Sequence, residues 1–203
     1  MRSSISLAAA AAATLALSGC ALLSTPDPVQ TYRFGGPAAA STAAEGQTGL
    51  RPVSLRRVEF PEAVEGDKIL GVTGTETAYI AGARWVSPAA DLYMESLENA
   101  FSAQATRVRI IGPRELSRGE RSLNVDVRAF EARYEAPGAT PTVVVTARAR
   151  LLALPDRSVA AERTFTVQQP AAANRVSAIV EAFDIATRDL NTQIVVWTDA
   201  NAG

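Results

Sequence analysis

The sequence predicts an α+β domain, a largely antiparallel sheet with two amphipathic helices packed on one face. Three observations predict it. Between Leu123 and Val167, three consecutive stretches alternate apolar and polar residues, separated by the turn pairs Pro137-Gly138 and Pro155-Asp156; this is the pattern of an antiparallel meander. Two other stretches, one near Leu92–Phe101 and one near Val176–Trp197, repeat their apolar residues at three- and four-residue steps, the period of a helix that buries one side. With one cysteine and no histidine in 203 residues, no disulfide can form within the chain, so the fold must rest on its own core.

The chain opens with a segment that is not part of the domain. Arg2 gives a basic start, Ile5 to Leu17 is almost wholly apolar, and Ser18-Gly19 leads into Cys20, the only cysteine. That is the plan of a secretory signal peptide over residues 1–19. The apolar run is shorter than the roughly 20 residues a membrane-spanning helix needs. Small residues followed at once by cysteine resemble the bacterial lipobox. The resemblance implies that Cys20 receives a diacylglycerol, that cleavage falls before it, and that the new amino terminus is acylated. The two or three chains of such an anchor hold far more firmly than one, at about 0.8 kcal/mol per buried CH₂. Ala21 stands where many inner-membrane lipoproteins carry Asp, and by that resemblance the outer membrane is the expected address.

Residues 20–50 carry the lipidated cysteine and then a stretch rich in Pro, Gly, Ala, Ser and Thr, which reads as a flexible tether. Thr31-Tyr32-Arg33-Phe34 interrupts it and suggests a short strand or a docking segment. The domain is expected over residues 51–203. Pro52–Phe60 reads as its first strand, closed by Pro61, and Ile69–Val72 and Thr77–Ile80 as short strands about the Gly71–Gly74 turn. Ser87-Pro88 marks a helix start, with serine as cap and proline as first helical residue. Asp91 suits the first turn, and Leu92, Met94, Leu97, Ala100 and Phe101 form the apolar stripe. Val108, Ile110 and Ile111 make a short strand ended by Gly112-Pro113. After the meander, Asn174 caps a last helix from about Arg175 to Trp197, roughly 34 Å long.

Composition narrows function. The chain has 20 basic and 21 acidic residues; residues 1–19 hold only Arg2, so the mature chain carries 19 against 21, a net −2. That gives no electrostatic case for nucleic acid. The absence of histidine excludes a Ser-His-Asp triad, a Cys-His pair and histidine-ligated metal. No carboxylates pair at catalytic or ligand spacing, so no catalytic residue, metal site or cofactor is expected. Gly71-Val72-Thr73-Gly74-Thr75 lacks the Gly-Lys-Ser/Thr ending of a phosphate loop and reads as a turn. Arg128, Arg148 and Arg150 line one sheet face, either solvated or turned to an acidic partner or lipid head group. Trp85 and Trp197 read as core or rim residues.

Several segments resemble one family in order. They are Thr31-Tyr32-Arg33-Phe34 after the anchor, Val58-Glu59-Phe60-Pro61, and Ala78 through Trp85 running into the Pro88 helix with Leu97 and Phe101. Phe130-Glu131 and a final helix with Ala182-Phe183 complete the pattern. Together they resemble the ABC-type transport auxiliary lipoproteins, the PqiC-like family, across the mature chain. Phe34 departs from the leucine common there. The resemblance implies a periplasmic domain tethered to the outer membrane, partnered by an inner-membrane permease and a tunnel protein with mammalian-cell-entry (MCE) domains. Its cargo would be a phospholipid or another hydrophobic molecule. A structural lipoprotein of envelope assembly, binding peptidoglycan or an outer-membrane assembly machine, is the alternative. Tyr32, Phe34, Tyr79, Arg84 and Trp85 coincide with the most specific part of the resemblance and are aromatic or arginine, the types favoured at interface hot spots. They are the candidate contacts to the tunnel protein or to a second copy in a homo-oligomer. The competing expectation is that Tyr32 and Phe34 form an edge strand and Trp85 plugs the core.

Overall fold

One strand, β6 (Arg121–Tyr134), organises the whole sheet in the computed structural model, which describes residues 29–36, 49–113, 115–117, 119–154 and 156–202. Along one edge it pairs antiparallel with β7 (Thr142–Ala153), which pairs antiparallel with β8 (Val159–Pro170). The three alternating stretches of the sequence are this meander. The other edge of β6 is shared. β2 (Arg51–Leu55) lies against its start, with Val53 opposite Arg121, and β3 (Lys68–Thr73) against its end, with Gly71 opposite Ala132. Between them, Glu59 forms a single bridge to Asp126. The sheet continues outward from β2 to β5 (Val108–Ile111). From β3 it continues to β4 (Glu76–Trp85) and then β1 (Gln30–Tyr32).

The long ladders are antiparallel, as expected, but β1–β4, β2–β5, β2–β6 and β3–β6 are parallel. The shared edge explains two of these pairs. The chain runs along β6 in one direction as β2, the Glu59 bridge and β3, so both strands meet it with the same polarity. It also corrects the expected first strand, which stops at Leu55 instead of Phe60 because β6 offers the next residues only that bridge. A one-turn helix, α1 (Glu62–Glu65), fills the gap and buries Val64.

Two long helices, α2 (Ala89–Gln104) and α3 (Val176–Asn201), pack against each other and the sheet. Pro88 itself caps α2 and Arg175 caps α3, neither with a side-chain hydrogen bond. Ser87 and Asn174 therefore lie one residue farther out than expected; Asn174 instead donates its amide to the carbonyl of Gly138, 3.0 Å away. Burial, more than capping, holds these helices. In α3, Ile179, Phe183, Ala186, Leu190 and Ile194 are almost inaccessible, and each large side chain so buried contributes about 1.5–3 kcal/mol. Under α3, the alternating Val143, Val145, Ala147, Ala149 and Leu151 of β7 are fully buried. Their neighbours Thr146, Arg148 and Arg150 point to the face without helices.

The core centres on aromatic rings. Phe130 of β6 lies 4.7 Å from Phe183 and 5.1 Å from Phe34, and Trp85 meets Phe34 edge-on at 4.9 Å. Phe34 belongs to the stretch expected as tether. The structure moves that boundary: β1 pairs with β4, and Phe34 is buried, so Val29–Gly36 is part of the domain.

Candidate functional site

The five candidate residues divide between the two faces of the sheet. Tyr32 sits opposite Trp85, and opposed residues share a face; that face is the core. Trp85 is 2% exposed and Phe34 1%, and Tyr32 packs against the core while remaining half-exposed. Phe34 and Trp85 therefore have no surface to offer a partner: the helix pair and Phe130 cover them. Tyr79 and Arg84 occupy the opposite face. Lys68 stands across from Arg84 in the ladder and places its ammonium 4.7 Å from the centre of the Tyr79 ring. A bulge in the β3–β4 ladder, with Gly82 at φ +68°, realigns the two residues, which strict alternation over five positions would separate.

The Tyr79–Arg84 face is exposed yet held. Tyr79, 45% exposed, donates its hydroxyl to the carbonyl of Ala63 at 3.1 Å. The Arg84 guanidinium meets the Asp67 carboxylate at 3.0 Å, and the N–H of Trp85 donates to the Asp67 carbonyl at 2.7 Å. An aromatic ring, two cations and a carboxylate thus lie on one firm strand pair. The same surface edge carries Val86, a large apolar side chain left in solvent, whose N–H bonds the Tyr32 carbonyl at 2.8 Å.

Tyr32–Gly35 is fastened at each step. The Arg33 guanidinium meets Glu95 of α2 at 2.7 Å. Phe34 fills the aromatic cluster. Gly35 adopts φ +62° and donates its N–H to the Asp184 carboxylate of α3 at 2.8 Å. A Cβ there would stand 2.4 Å from the Ser96 Cβ, so only glycine fits both the backbone and the space.

Cys20 lies outside the described residues, as does the whole of residues 1–19. Arg128 and Arg148 both close onto Asp126, so much of the positive charge on the helix-free face is answered within it. Gly71–Thr75 is the β3–β4 hairpin, turning through Gly74 at φ +59°. Trp197 packs its ring 6.0 Å from Phe165. Among the described residues no group of three or more His, Cys, Asp or Glu is placed to hold a metal ion, and no helix is long and apolar enough to cross a membrane.

Two features escaped the sequence reading. Asp199 of α3 accepts the consecutive N–H groups of Thr106, Arg107 and Val108 at 2.7–3.1 Å, and also the Thr106 hydroxyl. Nothing local in the sequence pairs positions 93 residues apart. The other feature is a row of acids on α2, Asp91, Glu95 and Glu98, whose four- and three-residue spacing was available as a signal. They border a groove beside β5, where the N–H of Gly112 and the Arg109 guanidinium hold the Glu115 carboxyl below the usual carboxylate range.

These elements define a class: an α+β domain with a mixed eight-stranded sheet, two helices over one face, and an N-terminal strand stitched into the sheet edge. The family model of ABC-type transport auxiliary lipoprotein components matches residues 32–195, and the chain belongs to that family. Among solved structures it is similar to protein XCC0632 from Xanthomonas campestris, at 26% identity and a TM-score of 0.67, over 86% of this chain and 94% of that one. An uncharacterized protein shares the fold at 18% identity and a TM-score of 0.62, over 72% and 91% of the two chains. The hypothetical protein CT253 from Chlamydia trachomatis shares it at 8% identity and a TM-score of 0.51, over 75% and 97%. No curated protein matches the chain.

Proposed function

We propose that the chain is acylated at Cys20, anchored on the periplasmic face of the outer membrane, and acts without catalysis as an auxiliary subunit of an ABC-type transport system. In this reading it docks a periplasmic tunnel protein with MCE domains that is served by an inner-membrane permease. The cargo is a phospholipid or a similar hydrophobic solute. Membership of a family of transport auxiliaries supports the class of function. The observation that carries the docking is the Tyr79–Lys68–Arg84 face. Within a segment whose other aromatic, Trp85, is consumed by the core, these side chains are fixed in position and left in solvent.

Arg84→Ala and Tyr79→Ala test it. Each removes an exposed group, and such changes usually stay within about 0.5 kcal/mol. The expected outcome is an unchanged melting temperature with loss of co-purification of the MCE protein from detergent-solubilised membranes. Full retention of the partner by both variants would remove this face from the interface. Cys20→Ser should release the protein from the membrane, and intact mass of the native form should show the acyl chains. Separation of the two membranes on a density gradient should place it with the outer one; recovery with the inner membrane would refute that address.

A further inference from the structure

A groove of about 1060 Å³ runs between α2 and the edge strand β5. It shares no residue with the Tyr79–Arg84 face. We propose that it receives an extended segment of a partner protein, alternating basic and apolar residues, which adds to β5 as a further strand.

Three features converge on that occupant. The first is the strand edge. Among the described residues β5 pairs only with β2, in parallel, so alternate residues turn their backbone groups away from it. The Arg107 carbonyl bonds the Arg51 N–H on the β2 side, which sets Val108 and Ile110 facing outward. Asp199 takes the N–H of Val108. The N–H and C=O of Ile110 are left beside the groove, where no strand follows among the described residues, and an extended peptide satisfies such groups by β-augmentation.

The second feature is the floor. Leu50, Met94 and Ile110, each partly exposed over the buried Phe101 and Val108, line it, giving every second side chain of an added strand an apolar surface to cover. The third is charge. Asp91, Glu95 and Glu115 border the groove against Arg109 as its one lining cation among the described residues. Glu95 and Glu115 form surface pairs with Arg33 and Arg109, and pairs of that kind are weak enough to exchange for an incoming lysine or arginine.

The same charge argues against rival occupants. The chain's own stretches 21–28 and 37–48 contain no lysine or arginine, so neither complements the row of acids. An anionic lipid would meet like charge at the rim.

The test uses the purified, lipidated chain in detergent and fluorescent heptapeptides read by anisotropy. A peptide alternating valine and lysine should bind, and one alternating valine and glutamate should not. Asp91→Lys combined with Glu95→Lys should weaken binding by about tenfold or more. N-methylation of alternate amides separates strand addition from simple charge attraction. In one register it should abolish binding and in the other spare it. Equal binding of both N-methylated forms, or no effect of the charge reversals, would overturn the proposal. So would a peptide-free oligomer that the double variant dissolves, which would assign the groove to a second copy of the chain.

Discussion

Removing the Phe34 ring should destabilise the domain as much as removing any core aromatic, although Phe34 lies in a stretch whose composition reads as linker. The ring is 1% exposed and packs on Trp85 at 4.9 Å and Phe130 at 5.1 Å. Its flanks are fixed by the Arg33–Glu95 pair and the Gly35–Asp184 bond, so the chain has little freedom to refill the void. Phe→Ala in such a site costs about 3–5 kcal/mol, the transfer of the ring plus the cavity left behind. For a domain of this size each kcal/mol moves the melting temperature by about 2–4 °C, a fall of about 6–20 °C. In urea, with a slope near 2 kcal/mol per molar, the midpoint should drop by about 2 M. Chemical denaturation of the wild type and Phe34→Ala, followed by tryptophan fluorescence, measures this directly because Trp85 reports on the same cluster. A loss below about 1 kcal/mol would refute the reasoning: β1 and Phe34 would then be an appendage, and the domain would begin near residue 51 after all.

Other consequences can be checked on the same footing. The Tyr93 hydroxyl is fully buried and meets no hydrogen-bond partner among the described residues, so Tyr93→Phe should raise stability by about 1 kcal/mol; a loss of that size would mean that the hydroxyl is satisfied. Burial pushes the Tyr93 phenol well above its usual range. The core accepts only the neutral phenol, so stability is level below the ordinary value near 10 and falls as pH rises past it, and that alkaline decline should flatten in Tyr93→Phe. Asp199→Ala frees three N–H groups where α2 meets β5 and should cost at least about 2 kcal/mol in urea melts, since bonds to a charged acceptor are worth about 1.5–3 kcal/mol each. The Glu115 carboxyl is held low by the Gly112 N–H and Arg109. Its tie to the loop is present above the usual glutamate range and lost as pH falls through and below it, which should appear as a shift of the Gly112 amide resonance that Glu115→Gln abolishes.

Periodicity made the meander and both helices legible, because period two and period 3.6 leave direct traces in where apolar residues fall. Val143 to Leu151 and Ile179 to Ile194 read the same way in the sequence and in the burial. What periodicity could not carry was pairing. Nothing in Val53 or Gly71 states that both join one edge of β6, and the parallel pairs follow from that sharing. Short elements were the other loss. β1 is three residues long, too brief to show a period; the sequence offered Tyr32 and Phe34 either as an edge strand over a Trp85 core or as a docking segment, and only the pairing with β4 and the burial of Phe34 select the strand. At the candidate site, the Tyr79–Arg84 stretch was recognisable as a segment. The division of its residues between core and surface was not, because it depends on the bulge at Gly82 and on a partner strand fifty residues upstream.

The stitching of β1 into the sheet has a mechanical side. If Cys20 carries the proposed lipid, ten residues separate it from Gln30, and ten residues reach about 33–36 Å even when drawn straight. On that proposed anchoring the sheet edge is moored close to the bilayer, and a pull on the anchor is borne first by the β1–β4 ladder and the Phe34 plug, ahead of the rest of the domain. A lipoprotein moored so short cannot travel to meet its partner. If the proposed anchoring holds, whatever machine it serves must itself reach to within a few nanometres of the membrane that carries the lipid.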